Sequence, residues 1–285
     1  MKRVELDNTS RVCFDACEQK YYLRHILNLV PLEPSSMAPY FGAAIHKGVQ
    51  AFYEGKLRDE SIKEFAIEYA EHFDEKDDER TPANRMIVLD EYFKRFKDDY
   101  LKTIKLEIGH SIVIEVDGLE IVYHMRIDRI AQWDKEVALE DWKTSKYVGS
   151  SFTIIRPNNQ FTGYSLGVRE LMGVNPTFFL TIIGTKVRKR VTEGQERVDI
   201  VRENIKYSDE EFEEFKRGVV VTAKRICECK ESKYWAKRSH SCPSFSGCEY
   251  LPLCRASRET FESMRSTFYK VSEWKAFETN SEGGE

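Results

Sequence analysis

The chain has 285 residues, of which 41% are apolar and 32% charged, an ordinary composition for a globular protein of about one or two domains. No apolar run approaches the roughly 18 residues that a membrane span needs. The polar N-terminus, residues 1–10, lacks the apolar segment of a secretory signal. We therefore expect a cytoplasmic protein without a membrane partner.

The formal net charge of -4 conceals an uneven distribution of charge along the chain. Acidic residues concentrate in residues 59–79, whereas basic residues concentrate in residues 186–190 and 224–238. This separation favours a positive cleft on an acidic body, and local patches rather than total charge bind phosphates. For either basic stretch alone, a solvated helix face is an equally good interpretation.

The first third of the chain has helical patterns. Ser10 is a candidate N-cap for a helix that runs through Tyr21 and Leu27. Apolar residues then recur with helical periodicity over residues 41–57, 61–73 and, as a long third segment, 83–106. We expect this part of the protein to be mainly helical.

The pattern changes to that of strands after residue 110. Residues 112–116 alternate between apolar and polar, and Asp117-Gly118 is a strong hairpin signal. A second strand is predicted over residues 119–131 and a third over residues 136–143, with a turn at Asp134-Lys135 between them.

The remaining elements complete a mixed pattern. Asn158 or Asn159 is predicted to cap a helix that reaches Met172, and residues 176–185 and 197–205 are predicted strands. Ser208 and Glu211 form a capping box for a helix that ends near Cys229. This order predicts an α+β (mixed α/β) fold with a mixed sheet.

We expect a single domain over residues 1–285, because no stretch has the composition of a linker. Residues 1–107 form its mainly helical part, and residues 108–206 its core sheet. Residues 207–270 carry a helix and a cysteine-rich segment, and residues 271–285 are a tail.

The third predicted strand contains Asp141-Trp142-Lys143. Side chains two residues apart share one face of a strand, so Asp141 and Lys143 point the same way. Asp128 lies on the preceding strand, and two carboxylates on adjacent strands suit Mg²⁺ or Mn²⁺. A surface ion pair is the more common meaning of Asp-x-Lys. Burial favours a functional role, because the apolar Val137 and Leu139 share the face of Asp141 and Lys143.

Three further residues are candidates for this site. His46 follows Gly42 by one helical turn, and Gln160 and Tyr164 share one face of the predicted helix after the third strand. Taken separately, His46 is more often a hydrogen-bonded core histidine, and Gln160 and Tyr164 are ordinary amphipathic residues.

Together these residues resemble a known family. The order Gly-x-x-x-His, Arg-Ile-Asp, Leu-Glu-Asp-Trp-Lys-Thr-Ser and Gln-x-x-x-Tyr is similar to the RecB-like branch of the PD-(D/E)XK nucleases. That branch includes CRISPR-associated exonucleases and the AddB nuclease domain. The resemblance implies a restriction-endonuclease-like core, in which helices flank a central mixed sheet. Arg126 departs from the family pattern, which often has Gly two residues before the aspartate.

The resemblance also implies roles for these residues. The metal ligands would be His46, Asp128, Asp141 and the carbonyl oxygen of Trp142. Lys143 would be the catalytic lysine, and Gln160 and Tyr164 would lie at the rim of the site and handle DNA. The implied activity is metal-dependent hydrolysis of DNA, with exonucleolytic action on single strands favoured.

Seven cysteines in a reducing compartment indicate metal binding or reactive thiols rather than disulfides. Cys242, Cys248 and Cys254 recur with five residues between neighbours, and a metal site needs a fourth ligand. Four-cysteine zinc is chemically sound, and Cys13, one helical turn before Cys17, is a rival candidate for the fourth ligand. The family resemblance implies Cys17 as the fourth ligand, in a Cys-x-x-x-Tyr-Tyr setting, and a [4Fe–4S] cluster.

Two other functions compete with the nuclease. The same fold can serve as a non-catalytic DNA-binding or assembly subunit of a recombination or CRISPR-type complex, and a zinc-dependent hydrolase of another substrate is a third alternative. A homo-oligomer or a protein partner from such a complex is left open, because the sequence shows no interface.

Overall fold

A computed structural model describes residues 2–33, 38–70, 81–192, 194–243 and 247–273. The helices are α1 (Asn8–Ala16), α2 (Glu18–Tyr21), α3 (Ala38–Tyr53), α4 (Arg58–Ala70), α5 (Pro82–Arg95), α6 (Val148–Ser151), α7 (Asn159–Met172), α8 (Asp209–Ser232), α9 (Leu251–Arg255) and α10 (Arg258–Phe268). The strands are β1 (Lys2–Leu6), β2 (Leu29–Pro31), β3 (Lys102–Val116), β4 (Leu119–Trp133), β5 (Glu136–Ser145), β6 (Thr177–Gly184), β7 (Ile200–Ile205) and β8 (Tyr269–Val271). Within the described part of the chain, no helix is long and apolar enough to cross a membrane.

The structure divides into two compact units, each made of separate chain segments. The first unit comprises Met1–Ser35, Ser111–Met125 and Glu213–Glu285. The second unit comprises Ser36–His110 and Arg126–Phe212. The single-domain layout expected from the sequence stays a prediction.

The second unit contains a mixed sheet in the order β4-β5-β6-β7. β4 and β5 pair antiparallel, β5 and β6 pair parallel, and β6 and β7 pair antiparallel. The parallel pair requires a crossover connection, which α6 and α7 provide. This arrangement confirms the expected mixed α/β class with a central mixed sheet.

Helices cover both faces of this sheet. On one face Trp142 and Ile183 pack among Phe41, Leu89 and other apolar residues of α3 to α5. On the other face Phe178 of β6 stacks on Phe161 of α7, with ring centroids 4.6 Å apart. Burial on both faces explains why every residue of β6 is buried, as is usual for a strand in a parallel pair.

The first unit joins the two ends of the chain. β1 pairs in parallel with the beginning of β4, from Lys2 opposite Leu119 to Leu6 opposite Tyr123. β2 pairs antiparallel with β8, and a small core forms beside them from Leu23, Leu29, Tyr250, Leu253 and Tyr269. Residues near positions 30 and 270 are therefore held together by backbone pairing and apolar contact.

The expected N-terminal helix differs from the observed one at its start and by a break in its middle, although helical structure continues through α2 to a π-helical turn at Tyr22–Ile26. Asp7, and not Ser10, is the N-cap: the Asp7 carboxylate accepts from the Ser10 N–H at 2.6 Å, and Ser10 Oγ accepts from the Asp7 N–H at 2.9 Å. The helix then breaks at Cys17, whose backbone is extended. A carboxylate at residue 7 and a reciprocal hydroxyl at residue 10 satisfy two N-terminal donors, which explains the earlier start.

The prediction of a helix over residues 83–106 is wrong for the second half of that segment. α5 ends at Arg95, and residues from Lys102 onward form β3. Helical periodicity is a local signal, whereas Asp99 is bound by two distant guanidinium groups, those of Arg129 and Arg202. We attribute the end of the helix to these long-range ion pairs, which override local propensity.

A buried group of four charges lies among β4, β5, β7 and the segment before β3. Arg129 Nη1 lies 2.9 Å from Asp99 Oδ2 and 2.7 Å from Glu140 Oε2, and Arg202 lies 2.7 Å from each carboxylate. The exposed fraction of these side chains is 6% or less. Two cations therefore balance two anions, and Tyr53 donates to Asp99 at 2.7 Å. Burial would raise the pKa of Asp99, but the hydrogen bonds from Arg202, Tyr53 and Arg129 lower it to about 2.

Replacing Asp99 by Asn should lower the free energy of unfolding by about 3–5 kcal/mol, because two buried guanidinium groups lose an anionic partner. Denaturation in urea, followed by circular dichroism, measures this change. Asp98→Asn is the matched control: Asp98 is exposed, and its loss should change stability by no more than about 0.5 kcal/mol. Equal stability of the two variants would contradict a stabilising role for the network.

Candidate active site

Two adjacent strands bring Asp128, Asp141 and Lys143 together in the second unit. The Trp142 N–H of β5 donates to Asp128 Oδ2 of β4 at 3.0 Å. The Lys143 ammonium lies 2.8 Å from Asp141 Oδ2 and 3.1 Å from Oδ1, and only the Oδ1 contact has hydrogen-bond geometry. Asp128 and Asp141 are 7% and 1% exposed, so the two carboxyl groups lie in a poorly solvated environment.

His46 of α3 reaches the same place. Its Nε2 lies 2.5 Å from the Trp142 carbonyl oxygen, and its Nδ1 lies 3.5 Å from Asp128 Oδ2. An added Cβ at Gly42, one turn before His46, would lie an ordinary 3.5 Å from Thr144 Oγ1. The tight approach is at Gly48, where a Cβ would lie 3.0 Å from Leu89. Gly48 therefore seats α3 against α5.

The ionisable groups of the site change one another's pKa values. Burial raises the pKa of Asp128 to about 7 and that of Asp141 to about 6, although Lys143 opposes both shifts. Burial alone would lower the pKa of Lys143, but Asp141 and Asp128 outweigh this effect and raise it. Burial lowers the pKa of His46, and the positive charge of Lys143 adds to that effect. The single ammonium of Lys143 is therefore not enough to keep both carboxyl groups at their ordinary pKa values.

The donor atoms suit a hard divalent cation. Two carboxylates, one imidazole and one backbone carbonyl oxygen are ligands that Mg²⁺ or Mn²⁺ accepts. Asp141 Oδ2 is buried and receives no hydrogen bond of good geometry from any described residue, although the Lys143 ammonium lies 2.8 Å away. As these side chains stand, however, no group of three or more His, Cys, Asp or Glu in the described segments is arranged to hold a metal ion. Asp141 is ion-paired with the Lys143 ammonium.

Gln160 and Tyr164 lie together on α7. Gln160 Nε2 donates to Tyr164 Oη at 2.9 Å, as their spacing of four residues allows. The contact from this helix to the carboxylate strand comes from Phe161, whose ring centroid lies 5.9 Å from the Lys143 ammonium. The structure therefore places α7 beside Lys143, and the roles of Gln160 and Tyr164 stay predictions.

Glu107 is a site residue that the sequence did not indicate. Its charge raises the pKa of both Asp128 and His46, so this third carboxyl group lies near them. Arg126, the residue that departs from the family pattern, is ion-paired with Glu107. The helix expected up to residue 106 concealed this contact, because Glu107 then appeared to follow a helix instead of lying inside β3. Glu107 also has a positive φ of 49°, which local sequence does not predict.

Four cysteines gather in the first unit. Burial raises the pKa of Cys254, and the neighbouring sulfurs of Cys248, Cys17 and Cys242 raise it further. The Cys248 N–H donates to the Cys242 carbonyl oxygen at 2.8 Å, which closes the loop between them. The four predicted cluster residues therefore lie in one region of the first unit, although no group of three or more described cysteines is arranged to hold a metal ion.

The other cysteines have different surroundings. Cys13 lies near Cys17, and burial raises its pKa to about 12. Cys229 is buried and donates to Glu18 Oε2 at 3.4 Å. Glu18 also binds the guanidinium groups of Arg225 and Arg238. Cys229 therefore belongs to a hydrogen-bonded network around Glu18.

Comparison with known proteins identifies the family to which the chain belongs. Residues 9–255 match the family model of the PD-(D/E)XK nuclease superfamily, and the chain belongs to that superfamily. No curated protein matches the chain.

Two solved structures illustrate the likeness. A candidate exonuclease from Eubacterium rectale is 17% identical, with a TM-score of 0.52 and coverage of 92% of each chain, and it shares the fold. An alkaline exonuclease from Laribacter hongkongensis is 13% identical, with a TM-score of 0.33 and coverage of 68% of this chain and 95% of that one.

The raised carboxyl pKa values predict a pH dependence for metal binding. Protons compete with a cation for Asp128 and Asp141, and both carboxyls take up protons as the pH falls through about 7 and then about 6. Affinity for Mn²⁺, measured by titration calorimetry without DNA, should fall by about tenfold or more from pH 8 to pH 6. Unchanged affinity down to pH 5 would show that the carboxyls titrate near their ordinary values.

Proposed function

We propose that the chain is a metal-dependent deoxyribonuclease of the RecB-like branch, which hydrolyses phosphodiester bonds and favours exonucleolytic action on single-stranded DNA. The observation that carries this proposal is the meeting of Asp128, Asp141, Lys143 and His46 at the Trp142 carbonyl group. Membership of the nuclease superfamily supports the reaction class.

The proposed mechanism assigns one task to each of these residues. His46, Asp128, Asp141 and the Trp142 carbonyl oxygen would hold Mg²⁺ or Mn²⁺. The ion, when bound, supplies Lewis-acid polarisation of the phosphate and a more acidic water. Lys143 leaves its contact with Asp141, donates a hydrogen bond to the attacking water and offsets the negative charge that develops on the phosphate.

The pairing of Lys143 with Asp141 supports this order of events. The Lys143 ammonium lies 2.8 Å from Asp141 Oδ2, and a divalent cation held by Asp141 would take over the neutralisation of this carboxyl group. The Lys143 side chain is 38% exposed, so its ammonium is not enclosed by protein on all sides and could turn toward a bound phosphate. Gln160 and Tyr164 are proposed to contact the DNA strand from α7, where Tyr164 could stack on an unpaired base.

A non-catalytic DNA-binding or assembly role is the second candidate. The observation that favours it is that no described group of three side chains is arranged to hold a metal ion. Against it, buried carboxyl groups without a function are costly, and Asp141 is 1% exposed. Cytoplasmic location and partners from recombination or CRISPR-type complexes stay predictions.

Lys143→Ala should abolish Mn²⁺-dependent degradation of labelled single-stranded DNA and leave the circular dichroism spectrum unchanged. We expect a loss of about 100-fold or more in rate, because one preorganised charge at the reacting phosphate is removed. Lys135→Ala, at an exposed turn of the same unit, is the control and should cleave like the parent. EDTA should stop both. DNA binding without cleavage by the parent would favour the assembly role.

The cysteine group leads to a second part of the proposal. We propose that Cys17, Cys242, Cys248 and Cys254 hold a structural [4Fe–4S] cluster, with a zinc ion as the alternative. The support is that Cys254 lies near all three other sulfurs. A ligand set that joins residue 17 to residue 242 closes a long loop, and the entropy of that closure would be lost from the unfolded chain. Binding of the cluster would therefore stabilise the folded state.

Anaerobically purified protein should contain about four iron and four sulfide per chain and be brown. Cys17→Ser should lose this iron, whereas Cys227→Ser, a change at a half-buried cysteine of α8, should keep it. Retention by Cys17→Ser together with loss by Cys13→Ser would identify Cys13 as the ligand. One zinc ion and no iron would support the alternative metal.

A further inference from the structure

A surface groove of about 660 Å³ lies in the first unit where α8 ends. Its wall includes Tyr22, Lys230, Lys233, Tyr234, Trp235 and Lys237. These residues come from the C-terminal part of α8, the segment that follows it, and the π-helical turn Tyr22–Ile26. The groove lies within the basic stretch that the sequence left open between a nucleic-acid surface and a solvated helix face.

The lysines of the groove keep their charge available. Lys230 and Lys233 are exposed, and neither forms an ion pair with any residue in the described segments. The acidic neighbours on the helix are already engaged, since Glu228 binds Arg225 at 2.9 Å and Glu231 binds Lys2. The groove therefore has a local positive field although the chain is negative overall.

Two aromatic rings of the groove are stacked on each other, and a third ring is exposed to solvent. Trp235 is 9% exposed and stacks on Tyr22, with ring centroids 5.4 Å apart and an interplanar angle of 29°. Tyr234 is 64% exposed, a large fraction for an aromatic side chain. The exposed ring of Tyr234 is therefore available to a ligand.

Backbone contacts hold the groove segment in place. The Gln19 N–H donates to the Ala236 carbonyl oxygen at 3.1 Å, and the Ala236 N–H donates to Glu18 Oε2 at 3.0 Å. The Lys237 ammonium donates to the Cys254 carbonyl oxygen at 2.8 Å. A ligand would therefore meet a largely preformed surface, which reduces the entropy lost on binding.

We propose that this groove binds single-stranded DNA, with phosphates at Lys230, Lys233 and Lys237 and an unpaired base stacked on Tyr234. Cations that follow the backbone, together with an open ring, are how single strands are bound without sequence preference. A duplex offers phosphates but keeps its bases stacked on each other, so it cannot use Tyr234 in this way. The inference rests on the proposed function in one respect, that DNA is the substrate.

The test measures binding of a labelled thymidine oligonucleotide to the full chain by fluorescence anisotropy, in EDTA and over a range of salt concentrations. Lys230→Ser/Lys233→Ser should lower the slope of log affinity against log salt by about 1.4 and weaken binding about 25-fold at 0.1 M salt. The control Lys216→Ser/Lys270→Ser removes the same charge from exposed or half-exposed positions of the first unit and should leave the slope unchanged.

Variants of Tyr234 distinguish the contribution of base stacking to binding from that of charge. Tyr234→Ala should weaken binding about 5- to 150-fold on the thymidine strand and leave binding to an abasic strand unchanged. Tyr234→Phe keeps the ring and should bind like the parent. Restoring charge with Lys230→Arg/Lys233→Arg should restore the salt slope, which shows that the serine variants fail through charge and not through misfolding.

The outcomes distinguish this proposal from the proposed catalytic function. Equal salt slopes for the groove variant and its control would contradict the proposed binding of single-stranded DNA in the groove. Equal losses of affinity for duplex and single-stranded DNA would contradict it as well. The groove variants should still cleave at saturating DNA, because none of the changed residues belongs to the catalytic group. If the parent binds through the groove but never cleaves with Mn²⁺, the groove stands and the nuclease mechanism fails.

Discussion

The second unit depends on one constraint: four charges buried on one face of its sheet must stay paired. Arg129 and Glu140 lie directly opposite each other in the β4–β5 register, and Arg202 of β7 and Asp99 complete the set. A register shift by one residue would separate Arg129 from Glu140 and leave charges unpaired in an apolar environment, which costs several kcal/mol. Because side chains alternate across a strand, the same register places the neighbours Asp128 and Asp141 together on the opposite face.

The buried charges also support His46 through a series of ring contacts. The Arg129 guanidinium lies 3.6 Å from the centroid of the Tyr53 ring, and Tyr53 stacks on Trp142 at 5.7 Å with an interplanar angle of 5°. Trp142 then contacts the His46 ring edge-on at 5.9 Å. These contacts fix the rotamers of residues whose polar atoms meet at the site. Orientation of a site by packed neighbours is what reactions sensitive to small displacements require.

The parts that the sequence predicted well are those in which local pattern and tertiary structure agree. The turns at Asp117-Gly118 and Asp134, the cap at Asn158 and the common face of Asp141 and Lys143 all follow from local chemistry. The errors arise where residues distant in sequence determine the local structure. Asp99 ends a helical pattern by binding two arginines, and Glu107 approaches Asp128 only once β3 is formed. The partners of Glu140 could not be inferred, since nothing local links it to residue 202.

The charge of the proposed active site bears on how the chain would hold DNA. Asp128 and Asp141 repel phosphate, and the only ammonium among the described contacts of Asp141 is held by it. A site of this kind is suited to chemistry on a bound strand but poorly suited to attracting one, because its field is negative until a cation enters. Affinity for DNA must then come from cations whose charge is not neutralised nearby. Lys230 and Lys233 meet that condition because the neighbouring glutamates are paired elsewhere, so the proposed groove would let a chain with net charge -4 bind a polyanion.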